Sequence, residues 1–325
     1  MTNGNGSGVQ RAASRVARIA RGLVRPSTRG RYIAAARQRA QTLVVRGPLE
    51  TCPVCGSLAA RAATVSDATA AARGAPAKTF HVRICRVCGH VANPENTFDY
   101  RNYEQIDMLT EAGRIGTPER PGREFHMAGM AADILGRDDL EVLVYGAGRS
   151  LDNAHIAALP QVRNVALADV MRLRDDAEFI DANLLAPRRF AIVVASEVVE
   201  HFLDPRPDFA RLFDFVEPDG LLVCGTNVYD GGSLANQSYI FVPGHTSYYA
   251  PGSLARIADE NGYHLDIRVP LVATGYAGPR KRYLLFTKSP EVVEAIGRYF
   301  STRSYAPSES PAADRALAEA RQRRG

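Results

Sequence analysis

The chain has 325 residues, enough for one full α/β domain and a smaller module, and 46% of them are apolar, enough for a sizeable core even without Trp. No run approaches the ~18 uninterrupted apolar residues of a membrane span, and no apolar stretch of signal-peptide length stands near the N-terminus, so a soluble, cytoplasmic protein is expected. The net charge of +5 is local: ten arginines and no Asp, Glu or Lys fall in residues 1–49, leaving about −5 for residues 50–325, which argues against a nucleic-acid groove in the main body.

Residues 1–12 are rich in Gly, Asn and Ser and are expected to be disordered. Residues 14–46 are Arg/Ala rich, with Val16, Ile19, Ala20, Leu23 and Val24 at helical spacing. Two readings stand: a basic amphipathic helix for an anionic surface such as lipid or RNA, or a solvated helical extension. The acid-free, Arg-rich start also has the composition of an organelle transit peptide. Residues 1–49 therefore read as a basic extension, 50–103 as the module holding the cysteine pairs, and 104–124 as a linker broken by Gly113, Gly116, Pro118, Pro121 and Gly122.

Cys52-Pro-Val-Cys55-Gly56 and Cys85-Arg-Val-Cys88-Gly89 have the spacing of two zinc knuckles. Two residues between cysteines let both sulfurs reach one tetrahedral ion, and the glycine permits the turn that points backbone amides at the thiolates. Four thiolates leave no open coordination position, so the zinc expected on Cys52, Cys55, Cys85 and Cys88 is structural, and its binding energy is folding energy. Paired disulfides do not suit a chain without a secretory signal, and a redox function needs only one pair. An iron–sulfur cluster is the remaining alternative. His81 and His90 flank the second pair and read as non-ligands. Cys224 lies in a predicted core strand, as a small buried hydrophobe.

From Phe125 helix and strand patterns alternate. Phe125, Ala128, Ala131, Ala132 and Leu135 mark one helical face. Strands are expected at Glu141–Tyr145, Asn164–Ala168, Glu178–Ile180, Ala191–Ala195 and Leu221–Gly225, and helices at Asp152–Leu159 and Pro207–Val216. A helix at Ser253–Asn261, stopped by Gly262, precedes a last strand pair, Leu265–Val269 and Arg282–Thr287. The alternation predicts a Rossmann-like α/β domain over 125–290, a parallel sheet covered on both faces. Residues 291–325 are expected to form a C-terminal helix and a flexible tail.

Gly146 and Gly148 end the first strand of that domain in a turn where the backbone can approach a ligand closely. Asp169 follows Gly148 by 21 residues, at the end of the second strand, where a carboxylate can accept both ribose hydroxyls. Asp181 ends the third, placed for the adenine. A dinucleotide fingerprint would put a third glycine at Leu151, so an adenosine ligand without a pyrophosphate fits better.

The run from Ser196 to Pro205, Ser-Glu-Val-Val-Glu-His-Phe-Leu-Asp-Pro, closely resembles the segment after strand four of class I methyltransferases that depend on S-adenosylmethionine (SAM). The resemblance covers about residues 125–288. The cysteine pairs resemble those of a subset that includes sugar C-methyltransferases. It implies a seven-stranded sheet with the last strand antiparallel, a small zinc-ribbon-like N-terminal module, and a SAM site at Gly146, Gly148, Asp169, Asp181 and Ser196. Two residues depart from the family pattern. Val144 stands where an acid helps bind the methionine part, and Ser150 stands at the third glycine.

Methyl transfer needs an aligned acceptor, and a base only where the acceptor loses a proton. His201 and its neighbour Glu200 follow strand four at the ligand-binding edge. His245 lies in a loop rich in hydrogen-bonding and aromatic groups, and Tyr100 and Tyr103 follow the cysteine module. Catalytic roles are expected for His201, His245 and Glu200. His126, His155 and His264 read as ordinary helix or strand residues. The expected acceptor is a small, oxygen-rich molecule such as a nucleotide-linked sugar or polysaccharide precursor. RNA or protein methylation guided by the cysteine module, and a scaffold without activity, are the competing readings.

Overall fold

The computed structural model describes residues 43–44, 49–70, 74, 76–100, 115–186, 188–269 and 281–303. The expectations for residues 1–42, for Tyr103 and for the tail beyond 303 lie outside the described residues.

The cysteine region builds a small antiparallel sheet. Its spine is β3 (Leu58–Ser66) paired with β4 (Thr79–Cys85), from Ala60↔Cys85 to Ser66↔Thr79. The alternation along β3 turns Ala63 and Val65 inward, the period-two pattern of a half-buried strand. Strands β1 (Leu43–Val44) and β2 (Glu50–Thr51) flank β3, and β5 (Val91–Ala92) flanks β4. The outer strand comes from far along the chain: β11 (Ser247–Tyr248) pairs antiparallel with β5, Ser247↔Ala92 and Tyr248↔Val91. Ala63, Val65 and Val82 then pack with Leu234, Ile240 and Phe241. The two regions of the chain are therefore sewn together rather than merely tethered.

The larger sheet has seven strands in the order β12-β13-β10-β9-β6-β7-β8. These are β6 (Leu140–Tyr145), β7 (Val162–Asp169), β8 (Glu178–Asp181), β9 (Phe190–Ser196), β10 (Val216–Asn227), β12 (His264–Arg268) and β13 (Lys281–Thr287). Only β13 runs against its neighbours, β10 and β12, as expected for the last strand. Every residue of β9 is buried, which is why it reads as an unbroken apolar run rather than an alternation.

Helices cover both faces. On one side α1 (Arg123–Leu135), α2 (Asp152–Ala157) and α5 (Pro290–Arg303) pack Met127, Ala131, Ile156 and Ile296 on Val142, Val144, Ile192 and Val223. On the other, α3 (Pro205–Asp214) and α4 (Pro251–Asn261) pack Phe209, Leu212, Leu254 and Ile257 on Leu143, Val193, Leu222 and Cys224. Gly136 and Gly262 end α1 and α4 in left-handed geometry, at φ 59° and 70°. Cys52, Val54, Cys85 and Cys88 join this second core, and Cys224 is fully buried there.

Element ends differ from expectation by a few residues. The α2 helix stops at Ala157 and finishes as a turn through Leu159, while α3 starts at Pro205, whose fixed φ suits a first helical position. Residues Glu217 to Gly220 lie within β10 as a register shift. A Cβ on Gly220 would come within 2.9 Å of the Ala191 carbonyl oxygen, so that close approach needs glycine. Among the described residues no helix is long and apolar enough to cross a membrane.

Candidate functional site

The strand order reverses at β6, which has β7 on one side and β9 on the other. Helices leave opposite faces there and open a crevice beyond the carboxyl ends of the strands, the place where open α/β sheets bind ligands. A cavity of about 480 Å³ occupies it, within the roughly 300–1,000 Å³ of small-molecule sites.

The glycine turn forms its floor. Gly146 and Gly148 take φ 68° and 53°. A Cβ on Gly146 would meet Val198 Cγ2 at 2.5 Å, whereas Gly148 faces open space. Gly148 donates its N–H to Asp169 Oδ2 at 2.9 Å, and Val170 donates to Oδ1 at 2.7 Å. Burial pushes the Asp169 carboxyl up from its ordinary range, against the pull of these amides. Ser196 and Glu197 close the end of β9. The Ser196 hydroxyl is buried with no hydrogen-bond partner, and Glu197 holds φ 56°, unusual for a residue with a side chain. Asp181 stands apart from the lining. Its Oδ1 accepts the N–H and side-chain amide of Asn183, and Ala182 reaches the cavity in its place.

The opposite wall comes from segments remote in sequence. His201 Nδ1 lies 2.9 Å from the Gly244 carbonyl oxygen. A carbonyl only accepts, so the ring donates from Nδ1 and leaves Nε2 as an acceptor. The rings of His201 and His245 meet edge-on at 4.8 Å, with Tyr100 5.6 Å from His201 and Tyr239 4.2 Å from His245. Burial lowers both imidazoles below their ordinary range, His245 well below it with help from His201. Buried Glu200 accepts hydrogen bonds from the hydroxyls of Thr226 and Tyr239. Its ligand-type atoms and those of His201 and His245 lie within 4.8 Å of one another. Tyr239 and Thr226 escaped the sequence reading, since one sits in a short helical turn and the other in a strand end, and neither carries a periodic or motif signal.

The two departures from the family pattern have structural partners. Val144 belongs to the apolar layer beneath α1. The Ser150 hydroxyl accepts the Gly116 N–H at 3.1 Å and donates to Glu124 Oε2 at 3.1 Å. Asp152 accepts the N–H groups of Gly122 and Phe125, so part of the expected linker is bound to the glycine turn.

At the small sheet, Cys52 and Cys88 sulfurs lie 3.6 Å apart and Cys55 and Cys85 3.7 Å apart. Sulfurs around a tetrahedral zinc with bonds of about 2.3 Å stand about 3.8 Å apart, so these two pairs have the spacing such an ion needs, and all four sulfurs lie within 4.8 Å of one another. All are free of disulfides, and Gly56 and Gly89 take the positive φ expected, 68° and 77°. His90 makes hydrogen bonds to Ser247 and to the Cys52 sulfur, while His81 pairs with Glu95 on the surface.

This arrangement, a seven-stranded doubly wound sheet with a glycine turn and an acidic strand end at its switch point, defines a nucleotide-type α/β domain. Residues 126–266 match the model of a family described as a methyltransferase domain. No curated protein matches the sequence. Similar solved structures include the Burkholderia thailandensis 1,6-didemethyltoxoflavin-N1-methyltransferase with bound S-adenosylhomocysteine, at 17% identity, TM-score 0.41, 63% of this chain and 94% of that one. A TehB-like SAM-dependent methyltransferase from Corynebacterium glutamicum matches at 18% identity, TM-score 0.38, 58% of this chain and 97% of that one. An O-methyltransferase family protein from Burkholderia thailandensis matches at 15% identity, TM-score 0.41, 50% of this chain and 55% of that one.

Proposed function

We propose that the enzyme methylates a small, oxygen-rich acceptor, with nucleotide-linked sugars and polysaccharide precursors as the first candidates. The observation that carries this reading is one cavity opening on both sets of groups: Gly148, Asp169 and Ser196 at the sheet edge, and Tyr100, His201 and His245 on the facing wall. The residues fit the cofactor. Gly148 leaves space for it, Asp169 keeps lone pairs for ribose hydroxyls, and the orphaned Ser196 hydroxyl lacks a partner that a ligand would supply.

Bound SAM supplies an electrophilic methyl group on a sulfonium. The cavity walls exclude water and hold the acceptor in line with it. His201 Nε2 takes the acceptor proton, its ring held by Gly244. The adjacent Glu200 charge stabilises the imidazolium that forms. His245, with a buried Nδ1 that has no partner, hydrogen-bonds the acceptor. Asp181 supports the adenine end through the turn it holds with Asn183. Cys52, Cys55, Cys85 and Cys88 bind a structural zinc. That zinc secures β5 and through it β11, the strand that follows His245.

The test incubates full-length, zinc-loaded protein with methyl-labelled SAM and a panel of sugar nucleotides, RNA and protein. Label on a sugar nucleotide supports the reading. Label on RNA or protein alone overturns it. Failure of calorimetry to detect S-adenosylhomocysteine binding would mark a scaffold instead.

A further inference from the structure

The strand that usually helps hold the methionine part offers nothing polar here: Val144 is 1% exposed, inside the apolar layer. Charge at this end of the cavity comes from the first turn of α1. Arg123 and Glu124 both line the cavity beside Gly146 and Gly148. Glu124 is 4% exposed, its carboxylate takes the Ser150 hydroxyl, and among the described residues no basic side chain forms an ion pair with it. Arg123 lies 3.8 Å from Glu197, which is itself ion-paired with Lys281, and the buried Arg123 Nε has no hydrogen-bond partner. A buried carboxyl group lacking a cation and a guanidinium nitrogen lacking an acceptor, on consecutive residues, line the same space. That pattern is complementary to a zwitterion.

We infer that Arg123 and Glu124 form the subsite for the α-amino-acid end of the cofactor, Glu124 receiving the ammonium and Arg123 the carboxylate. The inference rests on the cofactor reading above and relocates the missing acid from β6 to α1. It also gives Ser150 a task that glycine cannot perform, orienting the Glu124 carboxylate. Burial and the neighbouring Asp152 push Glu124 up to about 8. The other groups around it are Arg123 on its own turn, Arg174 after β7, and Lys281 and Tyr283 on β13. At neutral pH the carboxyl is therefore largely protonated, and an ammonium docking against it must expel a proton.

Calorimetry on the full-length protein tests this with two ligands, S-adenosylhomocysteine and 5′-methylthioadenosine, which lacks the amino-acid end. Glu124→Gln is expected to weaken the first by about tenfold or more and the second less than about twofold, and Arg123→Met to do the same. Wild-type binding of S-adenosylhomocysteine at pH 7 should release a proton, seen as a heat that varies with buffer ionisation enthalpy, and Glu124→Gln should abolish the release. Equal effects on both ligands, no effect on either, or no proton release overturn the inference alone. A wild-type protein that binds neither ligand overturns the cofactor reading and the inference together. The proton-release arm uses unmodified protein, so it stands even where a variant fails to fold.

Discussion

The carboxylate of Asp169 accepts the N–H of Gly148 at 2.9 Å, tying the end of β7 to the turn after β6. One acid thus shapes the loop under the cofactor and faces the cavity with its remaining lone pairs. Asp169→Ala is expected to weaken S-adenosylhomocysteine and 5′-methylthioadenosine alike, by about tenfold to a hundredfold for the loss of charge-assisted hydrogen bonds. Asp169→Asn should lose less. Calorimetry on both ligands checks it, and unchanged affinity in the alanine variant contradicts the ribose role.

The facing wall predicts a pH profile. Burial lowers the pKa of His201 and, further, of His245, so both imidazoles stay neutral to more acidic pH than an unperturbed histidine. The acid limb of kcat/KM should accordingly fall below about pH 6.5, the ordinary histidine value. His201→Ala should cut kcat on the order of 10²–10⁴-fold with little change in cofactor affinity. An acid limb above the ordinary histidine range would count against His201 as the base.

The cysteine cluster predicts one equivalent of zinc by elemental analysis. Chelation or Cys88→Ser should lower Tm by on the order of 10 °C, given the several kcal/mol that structural zinc contributes and the 2–4 °C per kcal/mol expected at this size. The loss should extend to activity, because β5 carries β11, the strand two residues past His245. A visible-region absorption band of iron in the purified protein would replace zinc with an iron–sulfur cluster.

Gly146→Ala combines two penalties, a φ of 68° and a Cβ within 2.5 Å of Val198 Cγ2. The backbone term alone costs about 1–2 kcal/mol. Adding Val198→Ala should relieve the contact but not the backbone strain, so the double variant should recover part of the stability lost in the single one. Full recovery in thermal melts would show that the contact alone mattered.

Much of this protein was legible in its sequence because the signals are local. The Cys-x-x-Cys-Gly knuckles, the Gly146–Gly148 turn and the run from Ser196 to His201 each fall within a few residues, and Asp169 is found by its spacing of 21 residues from Gly148. Apolar periodicity located the strands and helices of the large sheet to within a few positions. These features follow from backbone geometry and hydrophobic patterning over short windows, which a linear reading captures.

The tertiary structure alone decided which distant residues share a space. Tyr239 and Thr226 meet Glu200 across 39 and 26 residues, β11 joins a sheet begun some two hundred residues earlier, and Glu124 of α1 lines the same cavity as Gly146 and Gly148. Asp181 turns to Asn183 instead of the cavity. Such pairings are selected by burial and by the need to satisfy buried polar atoms once the layers close. Those forces act between surfaces that become neighbours only on folding, so no window of the sequence records them.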